Sequence, residues 1–301
     1  METPLIHTLD LNFMGRTHAI AAYALPHSDG VALVECGPGS TLPALEAGLG
    51  ALGYRLSDVT HVLLTHIHLD HAGAAGALAR AGATIYVHPV GAPHLLNPEK
   101  LLASAGRIYG EMMDTLWGAF LPVPPEKLVI AQHEQEIAIG RLRFIPLNTP
   151  GHAEHHFAYI HEDVCFSGDV GGVRMPGYRY LRAPMPPPEL HLPRWRESVR
   201  TLRGAGFRRI APTHFGIFED ADWQLDALDA ALAETERWLE QVMPTEPDIE
   251  SLRAGFADWM DSQARAAGLL EEDLTAFALA NPIGMSADGL MRYWKKVRMA
   301  Q

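Results

Sequence analysis

The chemistry of this chain starts at Thr65-His66-Ile67-His68-Leu69-Asp70-His71. Residues two apart on an extended strand point to the same side, so His66 and His68 can share one face. Asp70 and His71 then turn to a second position close by. Imidazole nitrogens and a carboxylate in this mix suit zinc, iron or manganese. The bland alternative is a solvated histidine-rich turn, and the density of donors argues against it. One segment supplies at most four ligands, and two ions need more. Further candidates stand in loops that follow strands: His152 in Thr149-Pro150-Gly151-His152, Asp169 in Ser167-Gly168-Asp169, and His214 in Pro212-Thr213-His214-Phe215-Gly216. An isolated histidine at a strand end is more often structural than ligating. The weight lies in the whole set, in this order.

Those residues need elements to hold them. Short apolar runs at Ala19–Leu25, Val31–Glu35, His61–Leu64 and Thr84–Val87 read as strands. Leu42–Leu52 reads as a helix, with leucines at three- and four-residue spacing, and Gly73–Ala81 as a helix of small residues. Strands return at Leu128–Ile130, Glu136–Ile139, Leu142–Leu147, Phe157–Ile160, Val164–Phe166 and Arg208–Ala211. Pro193–Ala205 reads as helical. Strands alternating with helices imply α/β layering. Residues 90–128 interrupt the rhythm with Tyr109, Met112, Met113, Trp117 and Phe120, either as cover for a sheet edge or as a pocket wall. Residues 170–193, rich in Gly, Pro and Tyr, read as a long surface loop. From Glu219 onward the pattern is helical: Trp223–Met243, Ile249–Ala267, Leu274–Asn281 and Ser286–Val297. The expected organisation is a catalytic domain over 1–218 and a helical region over 219–301.

Composition excludes several classes. The chain has 301 residues, of which 48% are hydrophobic and 20% charged, the profile of a globular protein. Lys and Arg number 24 against 36 for Asp and Glu, and the net charge of −12 disfavours a nucleic-acid partner. Two cysteines, Cys36 and Cys165, build no disulfide framework and fit small buried positions in a reducing compartment. Glu2 stands where a leader would need positive charge, and no long uncharged apolar stretch exists. The expectation is therefore a cytoplasmic protein with no membrane partner. Its substrate would be a small molecule, and a homodimer is compatible with the sequence. Among the 16 histidines, His88, His94, His155 and His161 are read as non-ligands and His156 as structural.

The series THIHLDH, TPGH, SGD and PTHFG resembles the metallo-β-lactamase fold superfamily, and most closely its glyoxalase II-like hydrolases. The likeness spans roughly residues 17–218. It implies an α/β fold, a four-layered αββα sandwich, here with a C-terminal helical appendage. It also implies two divalent metal ions, zinc foremost and iron or manganese as alternatives. His66, His68 and His152 would hold the first, Asp70, His71 and His214 the second, and Asp169 would bridge them. The implied reaction uses a hydroxide bridged between two metals to cleave a carboxylic ester, thioester or lactone. Asp70 would also serve catalysis by orienting the nucleophile or returning a proton to the leaving group. Tyr178, Tyr180 and Trp117 are the candidate substrate contacts. The family commonly carries Asp where this chain has Glu35, in Val34-Glu35-Cys36-Gly37, so the support around the metals can differ. A mononuclear iron persulfide dioxygenase-like oxidoreductase is the alternative, because its fold and histidine positions overlap.

Overall fold

The computed structural model describes residues 5–299, apart from the side chains of 271–273 and 276. Glu2 lies outside the described residues. The chain forms two compact units: residues 1–148 with 155–166, and residues 149–154 with 167–301. The helical region 219–301 thus falls in the second unit together with 167–218.

The first unit holds a six-stranded sheet in sequential order: β1 (His7–Asp10), β2 (Ala21–His27), β3 (Gly30–Val34), β4 (Val59–Leu63), β5 (Thr84–Val87) and β6 (Leu128–Ile130). β1 to β3 pair antiparallel, and β3 to β6 pair parallel. The central strands are near-continuous apolar runs because they are covered on both faces; Val31–Val34 and Val62–Leu63 are fully buried. α1 (Leu42–Ala51), α2 (Leu69–Ala72) and α3 (Ala75–Ala81) follow β3 and β4. β1 has no counterpart in the pattern analysis, since a four-residue edge strand leaves almost no periodic signal.

The same unit contributes an antiparallel run of β7 (Ile137–Ile139), β8 (Leu142–Asn148), β9 (Phe157–His161) and β10 (Val164–Phe166). The two sets of strands meet through aromatic side chains. Tyr23 on β2 lies 5.2 Å from Phe166 on β10, ring centre to ring centre. The Tyr159 hydroxyl donates to the Leu64 carbonyl at 3.0 Å. Residues 90–128 form α4 (Ala92–Leu96), α5 (Glu99–Tyr109) and α6 (Met113–Trp117). This segment is fastened to the loop after β3: Ser40 Oγ donates to the Leu116 carbonyl at 2.6 Å. Trp117 is buried, stacked 5.6 Å from Phe13 and edge-on 5.0 Å from Tyr109.

The second unit contains α7 (Leu192–Arg203), β11 (Arg209–Ala211), α8 (Ala221–Val242), α9 (Ile249–Ala266), α10 (Glu271–Ala280) and α11 (Ile283–Tyr293). α8 buries Leu225, Leu228, Leu232 and Leu239, the stripe expected from spacing. The stretch 170–193 departs from the surface loop expected of it. Val173, Met175, Leu181, Arg182, Ala183 and Met185 are buried, and Val173 and Arg182 exchange backbone hydrogen bonds of 2.8 and 3.0 Å. Its Gly and Pro content signals irregular backbone, which is a different property from exposure. Val173, Met175 and Tyr180 join Leu269, Leu274 and Phe277 in an apolar cluster.

Candidate functional site

Parallel pairing of β3 and β4 sets their C-terminal ends side by side, and both ends carry functional side chains. Glu35 follows β3 with φ +66°, a left-handed conformation unusual for a residue with a β-carbon. Its Oε1 accepts the Thr65 backbone N–H at 3.2 Å, and its Oε2 faces His71 Nδ1 at 3.3 Å. The charge of a carboxylate facing Nδ1 favours the tautomer protonated there, which keeps the Nε2 lone pair for a ligand. Glu35 is therefore a support for His71, built with one more methylene than the aspartate common in the resembled family.

His71 lies in α2, one turn of helix inside the motif itself. The turn places His71 Nε2 3.6 Å from Asp70 Oδ2. Before it, His66 Nε2 and His68 Nδ1 converge at 2.9 Å, and Thr65 Oγ1 holds His66 Nδ1 at 3.0 Å. His66 and His71 are buried, whereas the Asp70 side chain keeps 22% of its exposure, which leaves a carboxylate edge open to solvent. Cys36 supports the same turn, its thiol donating to the His71 carbonyl at 3.2 Å. Burial pushes that thiol up, beyond the range of a reactive cysteine. Cys165 is likewise buried, on β10.

The second unit positions His152, Asp169 and His214 by different means. Gly151 adopts φ +138°, and a β-carbon there would meet the Trp195 backbone at 2.3–2.4 Å, so the Pro150-Gly151 turn lies flush on α7. Ser198 Oγ donates to the Pro150 carbonyl at 2.7 Å. His152 Nδ1 lies 2.8 Å from the Pro184 carbonyl, which can only accept, so Nδ1 carries the proton and Nε2 the lone pair. Trp195 also holds the Asp169 turn, donating from Nε1 to the Val170 carbonyl at 3.1 Å. The buried Asp169 carboxylate then divides its two oxygens. Oδ2 lies 3.3 Å from His152 Nε2, and Oδ1 lies 3.4 Å from His214 Nε2. His214 is fixed through its backbone, where the carbonyl accepts from Arg174 N at 2.6 Å.

These separations test the fit to metal ions. Donors bonded to one tetrahedral zinc at about 2.0–2.1 Å stand roughly 3.3 Å apart. The donor pairs within each unit, at 2.9, 3.3, 3.4 and 3.6 Å, match the edges of such a polyhedron. The donor chemistry also fits: buried imidazoles with carboxylates suit zinc, iron or manganese.

Other histidines have structural partners. His88 Nε2 pairs with Asn148 Oδ1 at 3.1 Å, and His161 Nδ1 with the Arg143 carbonyl at 2.8 Å. His155 and His156 are buried with rings 6.0 and 5.0 Å from that of His66, so they form the packing behind it. Tyr178 packs on the apolar cluster of the second unit. Tyr180 has its hydroxyl engaged on both sides, accepting from Arg182 Nε at 3.2 Å and donating to the Met260 carbonyl at 3.4 Å. Tyr109 is a further candidate that no motif in the sequence marks as a site residue. In the first unit its phenol is pushed up by burial and by the negative charge of Asp70, and so remains a donor. Only its place in an aromatic-rich insertion between two histidine motifs hinted at this.

Residues 15–214 match the metallo-β-lactamase superfamily. A metallo-β-lactamase fold-containing protein of Sulfurisphaera tokodaii is 27% identical over 149 residues, 48% of this chain and 56% of that protein. A hydroxyacylglutathione hydrolase of Xylella fastidiosa is 32% identical over 142 residues, 47% of this chain and 42% of that enzyme. The matched regions span about half the length of these curated relatives. Among solved structures, a metallo-β-lactamase family protein from Thermus thermophilus superposes with a TM-score of 0.65 at 22% identity, covering 97% of this chain and 93% of that one. The fold is thus the expected α/β sandwich of the αββα type, with helices at the C-terminal end, and the chain belongs to the metallo-β-lactamase superfamily.

Proposed function

We propose that this chain is a dinuclear metal-dependent hydrolase of carboxylic esters, thioesters or lactones. Residues 1–218 would form its catalytic part and 219–301 a helical region. The observation that carries the reading is Asp169, whose buried carboxylate turns one oxygen toward His152 and the other toward His214. Such a carboxylate is shaped to join two centres. His66, His68 and His152 would hold one ion, and Asp70, His71 and His214 the other. Two bound divalent ions would supply a hydroxide nucleophile near neutral pH and charge stabilisation for the oxyanion that develops. The protein's own part is to fix tautomers, exclude water and move a proton. Glu35 and the Pro184 carbonyl hold the Nδ1 sides of His71 and His152. Asp70, the partly exposed carboxylate of the first unit, would return the proton to the leaving group through its outer oxygen.

Specificity would come from the 91–120 insertion, where Trp117 backs Tyr109 and Tyr109 offers a phenolic donor near Asp70. Tyr178 and Tyr180 would shape the loop after Asp169. Zinc is the metal proposed, with iron and manganese as the competitors. The hydroxyacylglutathione hydrolase relatives favour thioesters among the candidate bonds. The setting proposed is cytoplasmic, with a small-molecule substrate and no nucleic-acid or membrane partner; among the described residues no helix is long and apolar enough to cross a membrane.

The test is elemental analysis of protein made with ample zinc, iron and manganese, followed by turnover on a panel of thioesters, esters, lactones and persulfides. About two metal equivalents per chain with acyl hydrolysis are expected. A plateau at one equivalent of iron, with persulfide oxidation in place of hydrolysis, would move the assignment to the dioxygenase alternative.

A further inference from the structure

The helical unit buries a guanidinium that no part of the proposed hydrolysis uses. Arg182 is 1% exposed. Its backbone is fixed by the pair of hydrogen bonds with Val173, and its Nε donates to Tyr180 Oη at 3.2 Å. Nη2 reaches Asp261 Oδ1 at 3.4 Å, a long contact to a carboxylate that retains 32% exposure. Nη1, with two N–H donors, finds no hydrogen-bond partner among the described residues. The guanidinium also lies 5.2 Å over the Phe277 ring and 5.8 Å from that of Tyr180, contacts that offset part of its desolvation but leave the two N–H donors of Nη1 unmet, which is costly for a buried cation.

Arg182 lines a cavity of about 20 Å³, room for one or two water-sized groups and too little for a large organic molecule. The lining carries one formal charge, that of Arg182, and no carboxylate; Asp261 is not part of it. Beside Arg182, the Asn281 amide is the lining group with donors turned free by its other contacts. Asn281 Oδ1 already accepts from Ser286 Oγ at 3.0 Å, which leaves its amide N–H groups as remaining capacity, whereas the Thr235 hydroxyl spends its proton on the Ala231 carbonyl at 2.8 Å and has no donor to offer. Phe256 and Trp259 supply apolar wall. A single buried positive charge, amide donors, no negative lining and a volume of this size describe the complement of a small monovalent anion.

We propose that the helical unit contains an anion site in which Arg182 Nη1 binds chloride or the carboxylate group of a small acid. The site is separate from the metal ligands and does not rest on the hydrolase reading. Occupation would add stability to α8, α9 and α11, which the cavity walls join, by the logarithmic law for any ligand that binds only the folded state.

The experiment uses the full chain. Thermal unfolding is followed at constant ionic strength while sodium gluconate, too bulky for the cavity, is replaced by chloride or by formate. The expected result is an unfolding midpoint that rises with chloride or formate and saturates, with a change in tryptophan fluorescence that is lost in Trp259→Phe. If formate binds more tightly than chloride the natural ligand is a carboxylate, and the reverse order assigns a halide. Arg182→Met should abolish the anion dependence. Because that variant can fail to fold, Asp261→Asn is the second arm: removing the competing charge should tighten anion binding at least about threefold. A crystal soaked in bromide should give an anomalous peak beside Nη1. Equal midpoints in gluconate, chloride and formate, or an Asp261→Asn protein with unchanged anion response and no bromide beside Arg182, would overturn the proposal in favour of a buried water.

Discussion

The two units position comparable ligand-type side chains by opposite strategies. In the first, His66, His68, Asp70 and His71 come from one strand end and one helical turn, and their orientation is set by close neighbours, Thr65 and Glu35. In the second, His152, Asp169 and His214 come from three loops far apart in sequence. Two of those loops are gathered by one residue, Trp195, whose backbone meets the Gly151 turn and whose indole holds the Asp169 turn. A contiguous motif tolerates changes in distant packing, because its geometry is local. A dispersed set depends on the packing that brings it together. Failures in the second set should therefore begin as packing failures, and failures in the first as losses of ligand or of orientation.

The largest expected effect is at the point where the second set is irreplaceable. Asp169→Ala should reduce kcat/KM by roughly a thousandfold or more, since its carboxylate alone is turned toward both His152 and His214 among the described residues of that unit. Circular dichroism and the unfolding midpoint should stay near those of the parent. Near-normal activity at limiting metal would show that Asp169 joins nothing.

The first set is probed through its support. Glu35→Gln keeps the shape and removes the charge facing His71, so metal affinity should fall roughly 10- to 100-fold with the fold intact. Competition with a chromophoric chelator measures this directly, and unchanged affinity would mean that His71 needs no carboxylate.

Gly151→Ala sharpens the contrast most, because it alters no ligand. A β-carbon at φ +138° against the Trp195 backbone should lower the unfolding midpoint by about 5 °C and weaken metal retention together. A variant that unfolds early yet keeps full metal content would separate packing from ligation and break the argument.

The smallest effect concerns Arg174, which pins His214 through its backbone and grips Asp220 with both terminal nitrogens at 2.6 and 3.1 Å. The hydrogen bonds from Arg174 hold the Asp220 carboxyl below the usual carboxylate range. A depressed folded value means the stabilisation is present above the ordinary carboxylate pKa and is lost as pH falls through the lowered one. Asp220→Asn should remove that acid-limb contribution, worth about 1 kcal/mol because the Asp220 carboxylate is 38% exposed although Arg174 is buried. Unfolding midpoints from about pH 7 down to about pH 3 should run closer to flat for the variant than for the parent. Parallel curves would mean the pair adds nothing.

Much of this molecule was legible in one dimension. Alternating apolar runs placed all of the strands except β1, and leucine spacing placed α1 and α8, because hydrophobic periodicity reports directly which face is buried. The residue types at 66–71 announced metal chemistry because donor identity is a local property. Sequence by itself also indicated that Cys36 and Cys165 would be buried small groups, while the place of Glu35 beside the ligand-type histidines was implied only by the family resemblance.

Tertiary structure decided the rest, since each remaining question concerned distance between residues remote in the chain. The irregular stretch 170–193 is buried because Val173 and Arg182 pair across it, which composition does not encode. Tyr180 is tied to Arg182 and Met260, and Trp117 to Phe13 and Tyr109, partners that no spacing in the sequence announced. The division of the Asp169 oxygens between two imidazoles follows from the seating of Gly151 and Val170 on Trp195. The physical reason is that periodicity and donor type are set within a few residues, whereas close packing is a property of surfaces that meet only after the chain has folded.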